Sequence, residues 1–519
     1  MNAAAGSFDG EERRRAAALR PVLYAPAWEL IGLFGLVCFY LLAADPGNPE
    51  TTTRINTIGP MILIALLGGS ALRMSLLDPN TIWTALFWLR ISVSIYYGVG
   101  NLVPVIGDED TYYAMQAFYP FDDHDISELN LIYAVSLLVM LLSSNLVVSL
   151  SRSTSVHDPE LQRDREAKGR TLFAVGMAFL AIGGFFKYFF VIPYYFKLSS
   201  FVLPESITTI ANFTYAAIYL LTVWALEYRR SALPLVIAFV ILDITIGILD
   251  LQKYAVLISL IIFALAFLRS RITFFKIVVI GAALAGSYAV LVPIVELSRF
   301  QFNNKFGIDA PAGFADRFAI VTNSFSVAQS YVQSQNDTPG TRNSALSRIS
   351  YVNQSSYAID QYDSGTPGNS LDDIFAVFIP RLFWPDKPII TQIASDYNYA
   401  ITGNPLSQTS PGLFADAYWD AGWQGVIIAT FCLGILFSLL SLYSLRVMHK
   451  GQWLYFPIVL LAMKVGYRVD GYLVADMVGG SVILYATRFL LEGIVEFPYD
   501  MFLPIARGRA LPATPAPAE

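Results

Sequence analysis

The sequence has little charge, few histidines and almost no cysteine. Charged residues make up 14% of the 519 residues, hydrophobic residues make up 55%, and the mean hydropathy is +0.52. So apolar a composition is typical of a polytopic membrane protein and excludes an ordinary soluble domain. Cys38 and Cys432 both lie in apolar runs, which excludes a disulfide framework and a cysteine-based zinc site. The three histidines are scattered and form no metal-binding motif.

Basic patches with interleaved aromatic residues are also missing, so nothing in the sequence points to nucleic acid as a partner. The net charge of -6 is modest and indicates no more than solubility of the loops. Arginines between residues 13 and 20 precede the first apolar run, and no convincing cleavage pattern follows it. We interpret this run as an uncleaved first span.

Apolar runs predict an all-α membrane protein with about twelve transmembrane helices. The predicted spans are 28–44, 58–72, 81–106, 127–150, 171–192, 207–226, 232–249, 254–268, 274–295, 422–445, 452–469 and 472–493. The predicted organisation is therefore a tail at 1–27, nine spans within 28–296, a large loop at 297–421, three spans within 422–493 and a tail at 494–519.

The distribution of positive charge predicts the orientation of these spans. If the N-terminus is cytoplasmic, most lysines and arginines fall in cytoplasmic segments, and the short outer loops carry only Arg54, Lys197 and Lys253. Cytoplasmic loops are the ones enriched in such residues. The predicted localisation is the bacterial inner membrane, with both termini cytoplasmic and the 297–421 loop on the outer face.

Two helices are predicted within the large loop. The first begins near Asp316 and is amphipathic, which suits a helix that lies on the bilayer surface. Its apolar positions are Phe318, Val321, Phe325, Ala328 and Val332. The second is expected to begin near Asn343 or Ser344 and to extend to Ile359. Residues 363–370, DSGTPGNS, are predicted to form a loop.

One segment of the large loop concentrates proline, tryptophan and positive charge. Residues 379–388 read IPRLFWPDKP. Proline fixes φ and lacks a backbone donor, so this segment is predicted to be a stiff, non-helical connector. Arg381 and Lys387 project from it with little conformational freedom left to lose, which suits a phosphate ligand. The structural alternative is that Trp384 anchors at the bilayer interface and the two cations pair with carboxylates or lipid headgroups.

Residues 379–388, together with DAYWDAGWQG at 416–425, resemble the Wzy-type polymerases of O-antigen and other repeat-unit polysaccharides. The family usually has Glu at the position of Asp416 and often Asn-Phe-Gly at 420–422, where this chain has Asp-Ala-Gly. Twelve spans with one large outer loop before the last three are also similar to the family. The close resemblance covers about a tenth of the chain.

The resemblance implies a membrane glycosyltransferase that acts on undecaprenyl-diphosphate-linked oligosaccharides at the outer face of the inner membrane. Such an enzyme transfers the growing glycan from its lipid diphosphate to an incoming lipid-linked repeat unit. It needs no nucleotide sugar, no cofactor and no metal. The implied partners are these lipid-linked oligosaccharides, the bilayer, a chain-length regulator and a flippase.

Such a transfer requires stabilisation of a diphosphate anion and deprotonation of a hydroxyl. The candidate catalytic carboxylates are Asp250, Asp416 and Glu296. Asp416 has a structural alternative as a helix N-cap. The candidate residues for binding diphosphate or glycan are Arg381, Lys387, Arg299, Arg348, Lys253 and Trp384. For Arg299 the alternative is a snorkelling interfacial arginine, and Arg317 is a weaker candidate than Arg348.

Carboxylates inside predicted spans are interpreted first as members of ion pairs, because an unpaired charge in a membrane is expensive. Asp243 is expected to pair with Arg90 or Lys187. A second charged group is expected to hold the last two spans together. Its predicted members are Lys464, Arg468, Asp470, Asp476 and Arg488.

Two other functions remain open at this point. An O-antigen ligase, or another transferase of lipid-linked sugars, uses the same broad chemistry. A transporter or lipid flippase belongs to a different class and predicts paired discontinuous helices in pseudo-symmetric halves. The sequence shows no such symmetry.

Overall fold

The computed structural model describes residues 22–43, 49–151, 165–199, 203–269, 272–307, 310–337, 349–379, 383–384, 386–390, 392–404 and 408–502. Across these residues the secondary structure is helical, with no strand. The predicted all-α class is therefore confirmed for the part of the chain that is described.

The described residues in the first third of the chain are mainly helical. The helices are α1 (Ala27–Ala43), α2 (Pro49–Leu77), α3 (Ala85–Val93), α4 (Gly100–Ile106), α5 (Glu109–Phe118) and α6 (Asp123–Leu150). A π-helical turn at Ser94–Val99 joins α3 and α4 into one continuous helix that is long enough to span a membrane. Helix α6 begins with a capping box, in which Asp122 and Asp125 each accept a hydrogen bond from the other's backbone N–H.

The middle of the chain continues in the same way. Its helices are α7 (Arg165–Phe186), α8 (Ile192–Tyr195), α9 (Glu205–Ala211), α10 (Phe213–Glu227), α11 (Leu233–Leu249), α12 (Lys253–Ala266) and α13 (Phe274–Phe306). Helix α13 extends eleven residues beyond the predicted end of the ninth span at 295 and stops at Gly307, where φ is 92°. No glycine interrupts the polar turns after residue 295, so nothing in the chain ends the helix at the expected membrane boundary.

The last third contains α14 (Phe314–Asp337), α15 (Val352–Asp363), α16 (Ile374–Phe378), α17 (Gln392–Thr402), α18 (Leu413–Lys450), α19 (Phe456–Tyr467) and α20 (Gly479–Phe502). Helix α15 begins at Val352, and its predicted start near residues 343–344 lies outside the described residues. Helix α18 begins at Leu413, inside the segment predicted as loop, because its first turns are buried against the rest of the bundle.

Within the described residues, nine helical stretches are long and apolar enough to cross a membrane. Three shorter apolar helices, Ala27–Leu42, Lys253–Ala266 and Trp453–Tyr467, coincide with the first, eighth and eleventh predicted spans. The chain is thus a helical protein with many membrane-length apolar helices.

Close packing of α18 against α6 forms the centre of the bundle. A side chain at Gly434 would stand 2.2 Å from the carbonyl oxygen of Met140, so only glycine permits this approach. One turn further on, the Ser438 hydroxyl donates to the Ser144 hydroxyl at 2.7 Å. Small and hydroxylated residues are the usual means of joining helices where the surroundings are apolar.

Two pairs of oppositely charged side chains are buried inside the bundle. Lys187 Nζ lies 2.6 Å from Asp243 Oδ1, and the Ser259 hydroxyl donates to Asp243 Oδ2. The Lys187 alternative for Asp243 is therefore confirmed. Arg90, the other predicted partner, instead binds Glu29 at 2.8 Å, and the two side chains are 1% and 0% exposed.

Helix α14 presents a different face to the protein from the one expected from its apolar pattern. Arg317, Ile320 and Val321 are buried, whereas Phe318 and Phe325 are 52% and 51% exposed. Of the three predicted apolar positions whose burial is described, Phe318, Val321 and Phe325, only Val321 is buried. The side chains of Ala328 and Val332 lie outside the described residues. That the exposed face of this helix lies on a bilayer surface stays a prediction.

Candidate functional site

The start of α18 places one carboxylate in full burial. Asp416 is 0% exposed, in the first turn of the helix. Its Oδ2 accepts a hydrogen bond from the Leu473 N–H at 2.7 Å, whereas its Oδ1 is buried without a hydrogen-bond partner. Buried polar atoms are nearly always paired, so this unpaired carboxylate oxygen makes Asp416 a candidate for a functional role.

Asp420 follows one helical turn later on the same side of α18 and fixes a loop. Its carboxylate accepts hydrogen bonds from the backbone N–H and the hydroxyl of Ser370. The Gly368 N–H donates to the Trp419 carbonyl at 2.9 Å, and the Trp419 indole N–H donates to the Thr366 carbonyl at 3.2 Å. The loop predicted at 363–370 is thereby held against the start of α18.

A break in α18 follows these carboxylates. Ala421 and Gly422 depart from helical geometry, and φ of Gly422 is 58°. A Cβ at position 422 would meet the Tyr362 hydroxyl at 2.5 Å. Glycine is needed there for both conformation and space. The break separates a short segment that carries Asp416 and Asp420 from the long apolar remainder of the helix.

A polar cavity of about 400 Å³ opens beside this short segment. We refer to it as the polar cavity; its walls include Tyr357, Ser370, Asp373, Pro388, Asp396, Tyr397, Trp419 and Tyr472. The rings of Tyr397 and Trp419 lie 5.1 Å apart, and those of Tyr357 and Tyr397 lie 5.4 Å apart. Aromatic faces together with carboxylates and a hydroxyl suit a ligand that carries both C–H surfaces and hydroxyl groups, such as a saccharide.

An apolar groove of about 470 Å³ lies on the other side of the same helix. We refer to it as the apolar groove; its walls include Leu371, Ile374, Ala417, Gly425, Ile428, Leu433, Leu473 and Met477. They come from α18, from the segment that precedes α20 and from the segment that leads into α16. The groove continues along the membrane-length part of α18, so its shape and chemistry suit a hydrocarbon chain.

The polar cavity and the apolar groove are lined by adjacent residues of the same two chain segments. Ser370 lines the polar cavity and Leu371 lines the apolar groove, and the same holds for Val474 and Leu473. The N–H of Leu473 is the group that binds Asp416. Asp416 is therefore bonded to the backbone segment that separates the two spaces. A polar and an apolar space side by side suit a ligand that is half saccharide and half lipid.

An ion-pair network supports this segment. Arg468 Nη2 lies 2.7 Å from Asp476 Oδ1, and Asp476 Oδ2 accepts the Tyr472 N–H at 2.9 Å. Arg468 also lies 3.7 Å from Asp470. Three members of the predicted charge group thus hold the turn between α19 and α20. Arg488 does not join them as predicted, because it pairs with Glu492 on its own helix at 2.9 Å.

A second group of predicted residues gathers around the turn between α11 and α12. Lys253 forms an ion pair with Glu296, and Arg299 donates to the carbonyl of Leu251. Asp250 lies in the same turn, and its Oδ1 is buried without a hydrogen-bond partner. The structure therefore brings Asp250, Lys253, Glu296 and Arg299 together, as their predicted positions at the ends of neighbouring spans implied.

Arg317 completes this group, although the sequence argument ranked it below Arg348. It is 4% exposed and donates to the carbonyls of Leu249, Ala312 and Tyr195 at 3.1, 3.2 and 3.4 Å. Because its N–H groups donate to backbone carbonyls, Arg317 joins α14 to the end of α11. The sequence around Arg317 gave no signal of this role, because two of its three partners, the carbonyls of Leu249 and Tyr195, lie far away in the chain.

Electrostatics at Asp250 follow from burial. Desolvation raises the pKa of this carboxyl to about 8, against the opposing attraction of Arg317, Lys187 and Arg299. Burial lowers the pKa of Arg317, and the charge of Asp250 opposes that shift. Asp250 is therefore largely protonated at neutral pH and is better suited to donate a proton than to remove one.

The raised pKa of Asp250 predicts how stability depends on pH. The folded state holds the proton more tightly than the unfolded state, whose aspartates have a pKa of about 3.9. The stabilising contribution is complete below that value and is lost as pH rises through about 8. We expect the midpoint of thermal unfolding to fall less over this interval in Asp250→Asn than in the wild type. Parallel pH profiles for the two proteins would contradict the assignment.

The remaining predicted residues are placed as follows. Lys387 and Trp384 precede Pro388, which lines the polar cavity, and Lys387 Nζ donates to the Ile379 carbonyl at 3.0 Å. Arg381 and Arg348 lie outside the described residues. Asp416 and the Asp250 group belong to different parts of the molecule, since their apolar neighbours form separate buried clusters.

Several residues at the polar cavity were not singled out from the sequence. Asp420 and Trp419 stand in the quoted motif, and the four-residue spacing of Asp416 and Asp420 does place them on one helix face. That spacing was an available signal. Ser370 and Tyr472 had no such signal, because their hydrogen bonds to Asp420 and to the Thr409 carbonyl join residues 50 or more positions apart in the chain.

Comparison with known proteins yields one partial match. Residues 345–449 match a family model described as a domain of unknown function, DUF8712. The matched range contains α15–α17, all of α18 except its last residue, the 379–388 segment and both aspartates at the start of α18. No curated protein and no solved structure matches the chain.

Proposed function

We propose that this protein is a polymerase of polysaccharide repeat units, similar to the Wzy-type enzymes. It transfers the growing glycan from undecaprenyl diphosphate to an incoming lipid-linked repeat unit at the outer face of the bacterial inner membrane. The proposal includes twelve spans, in which the three shorter apolar helices join the nine long ones, and both termini are cytoplasmic.

The observation that carries the proposal is that the polar cavity and the apolar groove lie side by side at the segment to which Asp416 is bonded. A lipid-linked oligosaccharide needs a polar space for its sugars next to an apolar space for its chain. The groove has room for hydrocarbon along α18, and the cavity offers aromatic and carboxylate walls to the sugars. Both ends of the substrate are thus accommodated on the two sides of the segment that binds Asp416.

In the proposed reaction a hydroxyl of the incoming unit attacks the anomeric carbon of the growing chain. The carbon–oxygen bond to the diphosphate breaks, and undecaprenyl diphosphate leaves with that electron pair. Asp416 takes the proton of the attacking hydroxyl, and cations of the 379–388 segment stabilise the departing anion. Lys387 and Arg381 are assigned to that anion, since the segment adjoins the polar cavity through Pro388.

Substitution of these cations tests the proposal. Arg381→Ala and Lys387→Ala are each expected to abolish long-chain polymer and to leave single repeat units, because the leaving diphosphate loses its counter-charge. Cell-surface polysaccharide from each variant strain, separated by gel electrophoresis, gives the distribution of chain lengths. The matched control is Lys305→Ala, a change of one exposed cation at the end of α13.

The same assay separates the polymerase from its rivals. A normal chain-length distribution in both variants would refute the assigned role of the cations. Loss of all surface glycan, including the single unit, would instead indicate a ligase or a flippase. Extracted lipid-linked repeat units converted to a ladder by the purified protein would support polymerisation directly.

A further inference from the structure

Large aromatic side chains are exposed just before the proline-rich segment and within it. Phe375, Phe378 and Phe383 are 78%, 59% and 77% exposed, and Trp384 is exposed as well. We call these four residues the aromatic strip. They belong to α16 and to the described residues that follow it, and not to any of the membrane-length helices. Water is an unfavourable surrounding for so many exposed aromatic side chains in one short segment.

Comparable exposure elsewhere belongs to side chains of the apolar helices. Leu42 on α1 is 88% exposed, Phe275 on α13 is 75% exposed and Phe489 on α20 is 80% exposed. In a membrane-spanning helix such side chains face lipid. By degree of exposure and by chemistry, the aromatic strip matches these lipid-facing side chains.

The position of the strip relative to the membrane-length helices supports the same comparison. Helix α16 packs on the start of α20, where the Val377 side chain adjoins Gly479. Ile374, at the first position of α16, lines the apolar groove together with residues of α18. The strip therefore lies next to the first residues of α20 and next to the apolar groove.

Three backbone groups among the described residues near the strip have internal partners, which a lipid environment requires. The Ile379 carbonyl accepts a hydrogen bond from Lys387 Nζ, and the Ile379 N–H donates to the Ala376 carbonyl. The Trp384 carbonyl accepts the Lys387 N–H at 3.2 Å. These bonds replace the water that the segment would otherwise need.

We propose that the aromatic strip is embedded in the lipid bilayer, at the boundary between headgroups and acyl chains. Trp384 has the amphipathic ring that favours this level, and the phenylalanines reach further into the hydrocarbon. The strip then anchors the wall shared by the polar cavity and the apolar groove to the membrane surface. This inference does not depend on the reaction catalysed, because it concerns where the segment lies and not what it binds for catalysis.

The bilayer is favoured over a protein partner by continuity. The strip adjoins α20 at a point where that helix begins its own apolar, membrane-length course. A soluble partner or a second copy would have to cover the strip while the neighbouring helix surface remained in lipid. A lipid bilayer would cover both the strip and the neighbouring surface of α20.

Site-directed spin labelling tests the proposal. Cys38 and Cys432 are first replaced by alanine, and single cysteines are then introduced as Phe375→Cys, Phe378→Cys and Phe383→Cys in the full-length protein. Each variant is labelled with a nitroxide and reconstituted in liposomes of zwitterionic and anionic phospholipid. Collision rates with oxygen, which concentrates in the acyl region, and with a water-soluble nickel chelate are compared. Leu42→Cys serves as the lipid-facing control and Ser364→Cys, in an exposed polar turn, as the aqueous control.

We expect all three labels to collide with oxygen as often as the label at position 42, and with nickel several-fold less often than the label at position 364. Nickel accessibility equal to that of position 364 would overturn the proposal. Protection from both reagents would also overturn it, in favour of a protein that covers the strip. Because the three side chains are exposed, their replacement removes no core packing, and agreement among three positions guards against a local disturbance at one of them.

Discussion

Asp416→Asn is expected to reduce polymer formation by a factor of about 100 to 10,000, the usual range for loss of a general base. Asparagine has the size and shape of aspartate, and its side-chain oxygen still accepts the Leu473 N–H that now binds Oδ2. The structural role is therefore preserved. What is lost is the second carboxylate oxygen, Oδ1, which has no partner in the protein. Initial rates of ladder formation from extracted lipid-linked repeat units give the effect.

Two comparisons identify the cause of that loss. Asp396→Asn makes the same substitution at an exposed position in the wall of the polar cavity and should change the rate only slightly. A similar loss in both variants would indicate a general electrostatic effect and refute a specific base. Asp416→Ala should impair folding as well as activity, because it leaves the Leu473 N–H buried without an acceptor. If Asp416→Asn keeps the stability of the wild type, its loss of activity comes from the missing base and not from impaired folding.

The helical class and most membrane-length helices could be predicted because the hydrophobic pattern of a span is local. The run at 127–150 corresponds to α6, and the run at 232–249 corresponds to α11. The ends were harder to predict. Helix α18 begins nine residues before the predicted 422, since Leu413 is fixed by bonds to the Val469 carbonyl and the Tyr97 hydroxyl. Those partners are distant in sequence, so no local pattern marks this start.

The candidate site was predictable only where its residues belong to short motifs. Asp416 stood out because it opens a motif next to a proline-rich segment. The role of Arg317 depended on carbonyls that lie 68 and 122 residues away in the chain. The cavity walls likewise combine α15, α17 and α18, whose mutual placement is set by tertiary packing. The residue pattern of one segment does not show which distant segments will pack against it.

Arg90→Met is expected to destabilise the protein by about 3–5 kcal/mol, the range for breaking a buried ion pair by removing one partner. Arg90 Nε lies 2.8 Å from Glu29 Oε1, and its Nη1 donates to the Leu86 carbonyl at 3.0 Å. The Ser70 hydroxyl donates to the other Glu29 oxygen at 2.7 Å. Methionine fills much of the volume but leaves the Glu29 carboxylate buried with one hydroxyl for support. Thermal unfolding in detergent measures the effect.

A double variant distinguishes the cost of the unpaired charge from the cost of lost packing. Arg90→Met combined with Glu29→Gln removes both charges, so most of the lost stability should return. Arg488→Met breaks an exposed pair with Glu492, whose side chains are 45% and 39% exposed, and should cost no more than about 1 kcal/mol. If the double variant is as unstable as Arg90→Met alone, the arginine stabilises the bundle through packing. Recovery would instead show that the pair joins α1 to α3 chiefly because each charge, once buried, requires the other.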